Sequence, residues 1–473
     1  MVRKVLGTAA ACAMLAAPAT AGAASGAGPG LGDPFFTLET LVSGATSEPN
    51  MIIDDASNAL VAFNNYAVPS GTIHVCSVPF AATSCARTTN VVPGPDGAGT
   101  PYLARSAAGG LLLSNGTANY TELFASADDG ATFGAPVRIS RYTNAEALLP
   151  LPDGNLLLVG TGNDDDANAM HVVVVPPDGT GVDTPGWRFR GGIPSASRGV
   201  AFNGGRYVVT TSSFLSTATT QAQVDYAVFS GSGNPNDFAN WTTGSLPLDS
   251  GDPANIADGP AGTVLVGLDG DGDVVASKLS GSTFGAPVEI GDKAGKAYLP
   301  NVSQDSTGRI TAVWQVNGVG LRSSTSFNGT TWSRPRTLNP EREFDTDVGT
   351  GTNGTGLAVT RAGGSYEATR VYAGVTLSLK PAKAKIVKGD GTELIATLVD
   401  ERGDPISGAQ VTLRSGKKTV DTAKTTGSGE ASFTVEPKRT KRYRAEYAGT
   451  QTLASYESTA SKVRVVKPKK PKK

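Results

Sequence analysis

The sequence predicts an all-β protein: a seven-bladed β-propeller, with six blades as the alternative count, followed by a smaller β-sandwich. Three observations lead there. Long helical periodicity is absent, whereas short apolar runs bounded by Gly, Asp, Asn and Pro recur along a 473-residue chain holding 59 Gly and 29 Pro. A pattern of about fifty residues returns seven times. The charge also divides sharply. Residues 1–374 carry 20 Lys and Arg against 32 Asp and Glu (net −12), and residues 375–473 carry 21 against 10 (net +11). Such a split points to two domains with different surroundings.

The N-terminus reads as a secretion signal over residues 1–24. Arg3 and Lys4 precede an apolar, Ala-rich run from Val5 to Ala17, and Ala19-Thr-Ala21 and Gly22-Ala-Ala24 each offer a small-residue cleavage site. The run is shorter than the roughly 20 residues that span a bilayer, and no later segment is apolar enough for a transmembrane anchor. Ala-Ala-Ala before Cys12 is a poor lipobox. A secreted or cell-wall-associated monomer is expected. In an oxidising compartment Cys76 and Cys85, nine positions apart, are expected to form a local disulfide. That His74 and His171 are the only histidines argues against a histidine-rich metal site or a Ser-His-Asp triad.

Residues 33–374 carry the repeat. It runs as PNMIIDDASNALVAF from Pro49, PYLARSAAGGLLLS from Pro101, EALLPLPDGNLLLVG from Glu146 and SRGVAFNGGRYVVT from Ser197. ANIADGPAGTVLVG from Ala254, PNVSQDSTGRITAVW from Pro300 and TDVGTGTNGTGLAVT from Thr346 follow. Aligned on the turn, the copies start at Asn50, Tyr102, Ala147, Arg198, Asn255, Asn301 and Asp347, at intervals of 45 to 57 residues. That is the length of a four-stranded blade. Phe133-Gly-Ala-Pro-Val137 recurs as Phe284-Gly-Ala-Pro-Val288, and Trp187, Trp241 and Trp332 hold comparable places. The seventh copy ends near Tyr372, too early for four strands. Phe35-Phe-Thr-Leu-Glu-Thr-Leu-Val42 is therefore expected to supply the missing outer strand and close the ring.

Ser126-Ala-Asp-Asp-Gly-Ala-Thr-Phe133 fits the pattern S-x-D-x-G-x-T-[WF], with Ser126, Asp128, Gly130, Thr132 and Phe133 in the defined positions. Ser326-Phe-Asn-Gly-Thr-Thr-Trp332 is a shortened relative and Ser280-Gly-Ser-Thr-Phe284 a more decayed one. On these residues the chain resembles the bacterial sialidase and BNR-repeat (Asp-box) propellers. The resemblance implies that each box joins the third and fourth strands of a blade, on the face away from the active site. Physically the box is a turn: Asp128 accepts backbone N–H groups, Gly130 permits a positive φ, and Phe133 buries its ring.

Ligands of propellers usually meet the face where the innermost strands begin, so Asn50, Tyr102, Glu146, Arg198, Asn255, Asn301 and Asp347 form the expected binding ring. Two residues further on lie Ile52, Ala104, Leu149, Val200, Ala257, Ser303 and Gly349, which predict a tunnel turning apolar beneath a polar mouth. Loops into the ring add Arg141, Tyr142, Asp252, Tyr298, Glu341, Arg342, Glu343 and Asp345. Catalytic candidates are Asp347, Glu146 and Tyr102, since paired carboxylates suit a glycosidase. The family's first arginine motif, [FY]-R-I-P, is replaced by Glu48-Pro-Asn-Met51, so exo-sialidase activity is not expected and no catalytic role carries over. No cofactor is expected apart from calcium. Its candidate loops are Asp269, Asp271 and Asp273, spaced as in a calcium loop but lacking the usual Gly and Glu, and Asn163-Asp-Asp-Asp166.

From residue 375 to 466 alternating strands take over. Asp404-Pro-Ile-Ser-Gly-Ala-Gln-Val-Thr-Leu413 and Gly427-Ser-Gly-Glu-Ala-Ser-Phe433 resemble bacterial Ig-like (Big-type) surface domains. Lys467-Pro-Lys-Lys-Pro-Lys-Lys473 is an extended basic tail suited to anionic wall polymers or acidic sugars. Nucleic acid is not expected, because aromatic interleaving is missing. The expected function is binding of a glycan, cell-wall polymer or other polar ligand at the propeller mouth, with the basic module aiding attachment. A glycoside hydrolase or lyase is the first alternative, and an adhesin or scaffold recognising surface proteins the second.

Overall fold

The computed structural model describes residues 35–468 apart from 41–48, 66–70, 81, 118, 163–169, 190–192, 204–205, 217–218, 249–253, 292, 340–345, 353, 363–364, 401–402, 451–452 and 455. The expected signal over residues 1–24, Asn163 to Asp166, Asp252, Glu341 to Asp345 and most of the basic tail thus lie outside the described residues. The described chain is all-β save for one short 3-10 turn.

Up to Val371 it forms seven antiparallel sheets, built in chain order. Their first strands are Asn50–Ile53, Thr100–Arg105, Thr143–Pro150, Ile193–Asn203, Asn255–Ala257, Ala297–Gln304 and Thr346–Thr350. Every expected repeat start falls inside one of them. These first strands lie side by side in that order, and the last packs against the first. A closed ring of radial antiparallel sheets is a β-propeller. The seventh sheet takes its outermost strand, Phe35–Thr40, from the start of the chain, paired with Ser365–Val371 from Phe35↔Thr369 to Thr40↔Ser365. The expected closure is therefore present over Phe35–Thr40, and Leu41 and Val42 of the expected segment lie outside the described residues.

Apolar alternation drives this packing. Each sheet buries aliphatic side chains of both faces against its neighbours, as where Val159, Val172, Trp187, Val209 and Trp241 meet between the third and fourth sheets. The seam between seventh and first sheets is tight. A Cβ on Gly349 would lie 2.8 Å from Ile53 Cγ2, and one on Gly351 2.4 Å from Ser57 Oγ. Arg370 of the seventh sheet donates to the carbonyls of Pro79 (3.2 Å) and Ala82 (2.6 Å) in the first. Those carbonyls sit in the loop closed by the Cys76–Cys85 disulfide, which the sequence anticipated.

The turn over residues 126–133 joins Thr121–Ser126 to Val137–Ser140, the third and fourth strands of the second sheet. Ser126 Oγ donates to Asp128 Oδ1 and accepts from Gly130 N, both at 2.8 Å. Asp128 accepts from Thr132 N (2.8 Å) and Thr132 Oγ1 (2.7 Å). Gly130 has φ +78°, as the turn requires. Asn328 takes the aspartate's place in the box over 326–332, accepting from Thr330 N (2.9 Å) and Thr331 N (2.8 Å). Phe133 and Trp332 each pack, half-buried, against the core beside them. The boxes also join sheets. Arg87, Arg206 and Lys278, each from the preceding sheet, donate to Asp129 O, Gly281 O and Asn328 O at 2.6, 2.8 and 2.9 Å.

The Asp128 carboxyl is held at about 2, below its ordinary 3.8, first by the Thr132 hydroxyl, then by the Thr132 N–H and Ser126. A lowered folded-state value adds stability above the unfolded carboxyl's range, and that stability is lost as pH falls from about 4 through about 2. Asp128→Asn should therefore melt below the parent at pH 6, with the gap closing as pH approaches 2. Melting temperature against pH is the measurement, and a gap that persists at pH 2 would refute this role.

Beyond the propeller, Val375–Pro381, Thr392–Asp400 and Glu430–Val435 form one sheet. Lys385–Val387, Ser461–Val466, Lys441–Tyr447, Gln410–Ser415 and Lys418–Lys424 form another, with Tyr456–Glu457 at its side. Both bury their alternate residues in one core that includes Leu377, Leu398, Phe433, Tyr443 and Tyr447.

Candidate functional site

The first strands enclose a central cavity of about 320 Å³. Asn50, Tyr102, Asn255, Asn301 and Asp347 line it, as expected. Arg198 lies in its first strand, but its side chain is outside the described residues. Glu146 does not line the cavity. It is the extra residue of a bulge, because Ala145 pairs with Gly160 and Ala147 with Val159. Gly160 makes room for that bulge: a Cβ there would stand 1.9 Å from the Asn144 carbonyl oxygen. The first strands of the fourth and sixth sheets also shift register on the mouth side.

Most ring residues do not simply face an open mouth. Asn50 Oδ1 accepts from Leu103 N of the second sheet at 2.6 Å. Asn255 Nδ2 donates to Pro300 O of the sixth at 2.7 Å, and Asn301 Nδ2 to Asp347 Oδ1 of the seventh at 3.2 Å. Asp347 Oδ2 then accepts from Met51 N of the first at 2.6 Å, across the seam. Each side chain fastens its strand to the next one around the ring. These four, expected as ligand groups, each also give a polar atom to a bond between sheets, where unpaired polar groups would be costly.

Tyr102 differs. It is half-buried, and its phenol is pushed well above the usual tyrosine range, first by burial, then by the Glu146 and Asp347 carboxylates. Both carboxylates thus stand within electrostatic reach of the Tyr102 phenol. The phenol so held stays protonated and serves as a hydrogen-bond donor, the opposite of an activated nucleophile.

The expected apolar plug is also corrected. Val200, Ala257 and Ser303 line the cavity, but Ile52, Ala104 and Leu149 pack between sheets. Deeper polar lining comes from Asp258 and Gln304. Thr263 Oγ1 donates to Asp258 at 2.6 Å, and Gln304 bridges Ala261 N (2.7 Å) and Gly262 O (2.9 Å). Of the loop residues, Arg141 binds Tyr142 Oη (2.7 Å) and Asp183 (3.0 Å), while Tyr298 lies 5.8 Å from Lys296 Nζ.

Asp269, Asp271 and Asp273 form a hairpin turn rather than a ligand set. Asp269 Oδ1 accepts from Asp271 N (3.0 Å) and Asp273 N (2.9 Å), and Asp273 pairs with Lys293 at 3.1 Å. Among the described residues no group of three His, Cys, Asp or Glu is placed to hold a metal ion. No helix among them is long and apolar enough to cross a membrane.

No protein-family model matches the chain, and no curated protein matches it. Solved structures do. YCF48 from Cyanidioschyzon merolae is 10% identical, with 70% of this chain and 98% of that one covered and a TM-score of 0.41. The fucose-specific lectin from Aleuria aurantia is 16% identical, with 63% and 96% covered and a TM-score of 0.39. The extracellular domain of the putative hybrid two-component system BT3049 from B. thetaiotaomicron is 8% identical, with 92% and 58% covered and a TM-score of 0.41. The chain thus spans less than two thirds of that last protein.

Proposed function

We propose that this is an exported glycan-binding protein whose seven sheets are the blades of a sialidase-like, Asp-box propeller, with its ligand at the central mouth. The observation that carries the reading is the polar lining of the central cavity, which sets the Tyr102 hydroxyl among Asn50, Asp258, Asn301 and Gln304. Such a mix of donors and acceptors matches the hydroxyls of a sugar. Export rests on the N-terminal signal pattern and agrees with the Cys76–Cys85 disulfide. The C-terminal sandwich is read as an Ig-like module, and its net charge of +11 (21 − 10) over residues 375–473 suits salt-sensitive attachment to anionic wall polymers or surface proteins. A hydrolase is the second reading, favoured by the carboxylate beside the tyrosine.

The test takes the whole chain through a glycan array and a panel of fluorogenic glycosides that includes a sialoside. Expected is saturable binding without turnover, weakened about tenfold by Tyr102→Phe through loss of one hydrogen bond. Turnover abolished by Glu146→Gln would establish the hydrolase instead. Neither binding nor turnover would leave protein recognition.

A further inference from the structure

We propose that a groove between the outer edges of the third and fourth sheets is a second carbohydrate site, taking a neutral hexopyranose unit of a glycan. The groove measures about 710 Å³, against about 320 Å³ for the central cavity. Both volumes lie in the range of small-molecule sites. The groove is built from outer strands, so it stands whether or not the central mouth binds anything.

One wall is aromatic. Trp187 and Phe189 come from the last strand of the third sheet, and Phe238 from the turn before the last strand of the fourth. The Trp187 ring lies 4.9 Å from Phe189 and 5.1 Å from Phe238, centroid to centroid. Phe238 is 47% exposed, although a phenyl ring ordinarily seeks cover. Its turn is fixed in place. Asn236 accepts from Val174 N (2.7 Å) and donates to Val174 O (2.8 Å), binding the turn to the neighbouring sheet. Asp237 accepts from Ala239 N at 3.0 Å, and Trp241 Nε1 donates to Pro235 O at 2.8 Å. The chain thus holds an exposed ring rigidly over a cavity.

The facing wall is polar. Asp225 Oδ1 accepts from Gln223 Nε2 at 2.7 Å and from Ser245 Oγ at 2.5 Å, which fixes the carboxylate at the groove. Arg188 brings the compensating charge. Trp187 is only 6% exposed and its indole nitrogen is sealed from the groove, so this ring serves there as a fixed apolar floor beside the exposed Phe238. Flat rings opposite a carboxylate, an amide and a hydroxyl match the two sides of a pyranose: its C–H face covers the rings and its hydroxyls meet the polar wall. With one carboxylate set against one guanidinium, the walls favour a neutral sugar over a charged one.

The test titrates the full chain with methyl β-galactoside, methyl β-glucoside, methyl α-mannoside and N-acetylglucosamine, by calorimetry and saturation-transfer NMR. At least one sugar should saturate. Phe238→Ala and Asp225→Asn should each weaken it about tenfold, while the mouth variant Tyr102→Phe leaves it within about twofold. Phe238→Ala should melt with the parent, since half of that side chain already meets water. Failure of all four sugars to saturate, or affinity unchanged in both groove variants, overturns the site. Affinity lost with Tyr102→Phe but kept in the groove variants also overturns it, and assigns the sugar to the mouth.

Discussion

Removal of residues 1–42 should lower the melting temperature by roughly 10 °C and make the chain associate more than the parent does. The deletion takes away Phe35–Thr40, the strand that completes the seventh sheet against Ser365–Val371. Five residue pairs are lost, and at about 1 kcal/mol per net hydrogen bond the ladder contributes about 3–5 kcal/mol. At about 2–4 °C per kcal/mol this gives the stated shift. The exposed edge would carry Tyr366, Ala368 and Val371, all now buried, and an open apolar edge is a template for pairing with a second molecule. Light scattering and a thermal melt decide the matter. A synthetic peptide of residues 33–42 added in trans should restore both values. A truncated chain that associates no more than the parent and melts with it would show that the ring closes without its N-terminal strand.

That this strand could be found in the sequence at all follows from the regularity of the fold. Most copies start on a polar residue, and an apolar run and a tight turn accompany it, so the seven starts line up and a missing outer strand in the last copy is conspicuous. The turn over residues 126–133 was legible for a different reason: its side-chain bonds each span at most four positions, between Ser126 and Thr132. Its role between sheets was not, because Arg87 reaches the Asp129 carbonyl from the preceding sheet, far upstream in the chain.

The site was less legible because its determinants are distant in the chain. Asn and Asp at strand starts suit a cap, a ligand or a fastening equally well, and what decides is a partner in the next sheet, such as Leu103 N for Asn50. The bulge that withdraws Glu146 from the cavity leaves only Gly160 as a trace, one glycine among 59. The groove beside Trp187 was missed altogether. Trp187 and Trp241 were assigned to their strands by repeat position, but Phe238 comes from a connection that has no counterpart in the other copies.

Asp347 shows why this matters for experiment. Asp347→Asn should cost about 1–3 kcal/mol of stability, because the carboxylate accepts from Met51 N at 2.6 Å across the seam and from Asn301 Nδ2 at 3.2 Å and Val348 N at 2.8 Å. An amide presents one acceptor and two donors to a set of three donors, so one N–H must face another. Asp347→Ala removes both acceptors and should cost more, about 2–4 kcal/mol, since Met51 N and Asn301 Nδ2 are then left to whatever water can reach them. Either variant would lose ligand binding or turnover through a loosened ring, and the loss would imitate a catalytic role. Chemical denaturation separates the two meanings. If Asp347→Asn keeps the parent's unfolding midpoint yet abolishes binding, its carboxylate belongs to the ligand; if the midpoint falls as expected, the seam is its first task. Tyr102→Phe then becomes the cleaner probe of the mouth, since it removes a single hydroxyl and leaves the Asn50, Asn255, Asn301 and Asp347 fastenings of the ring intact.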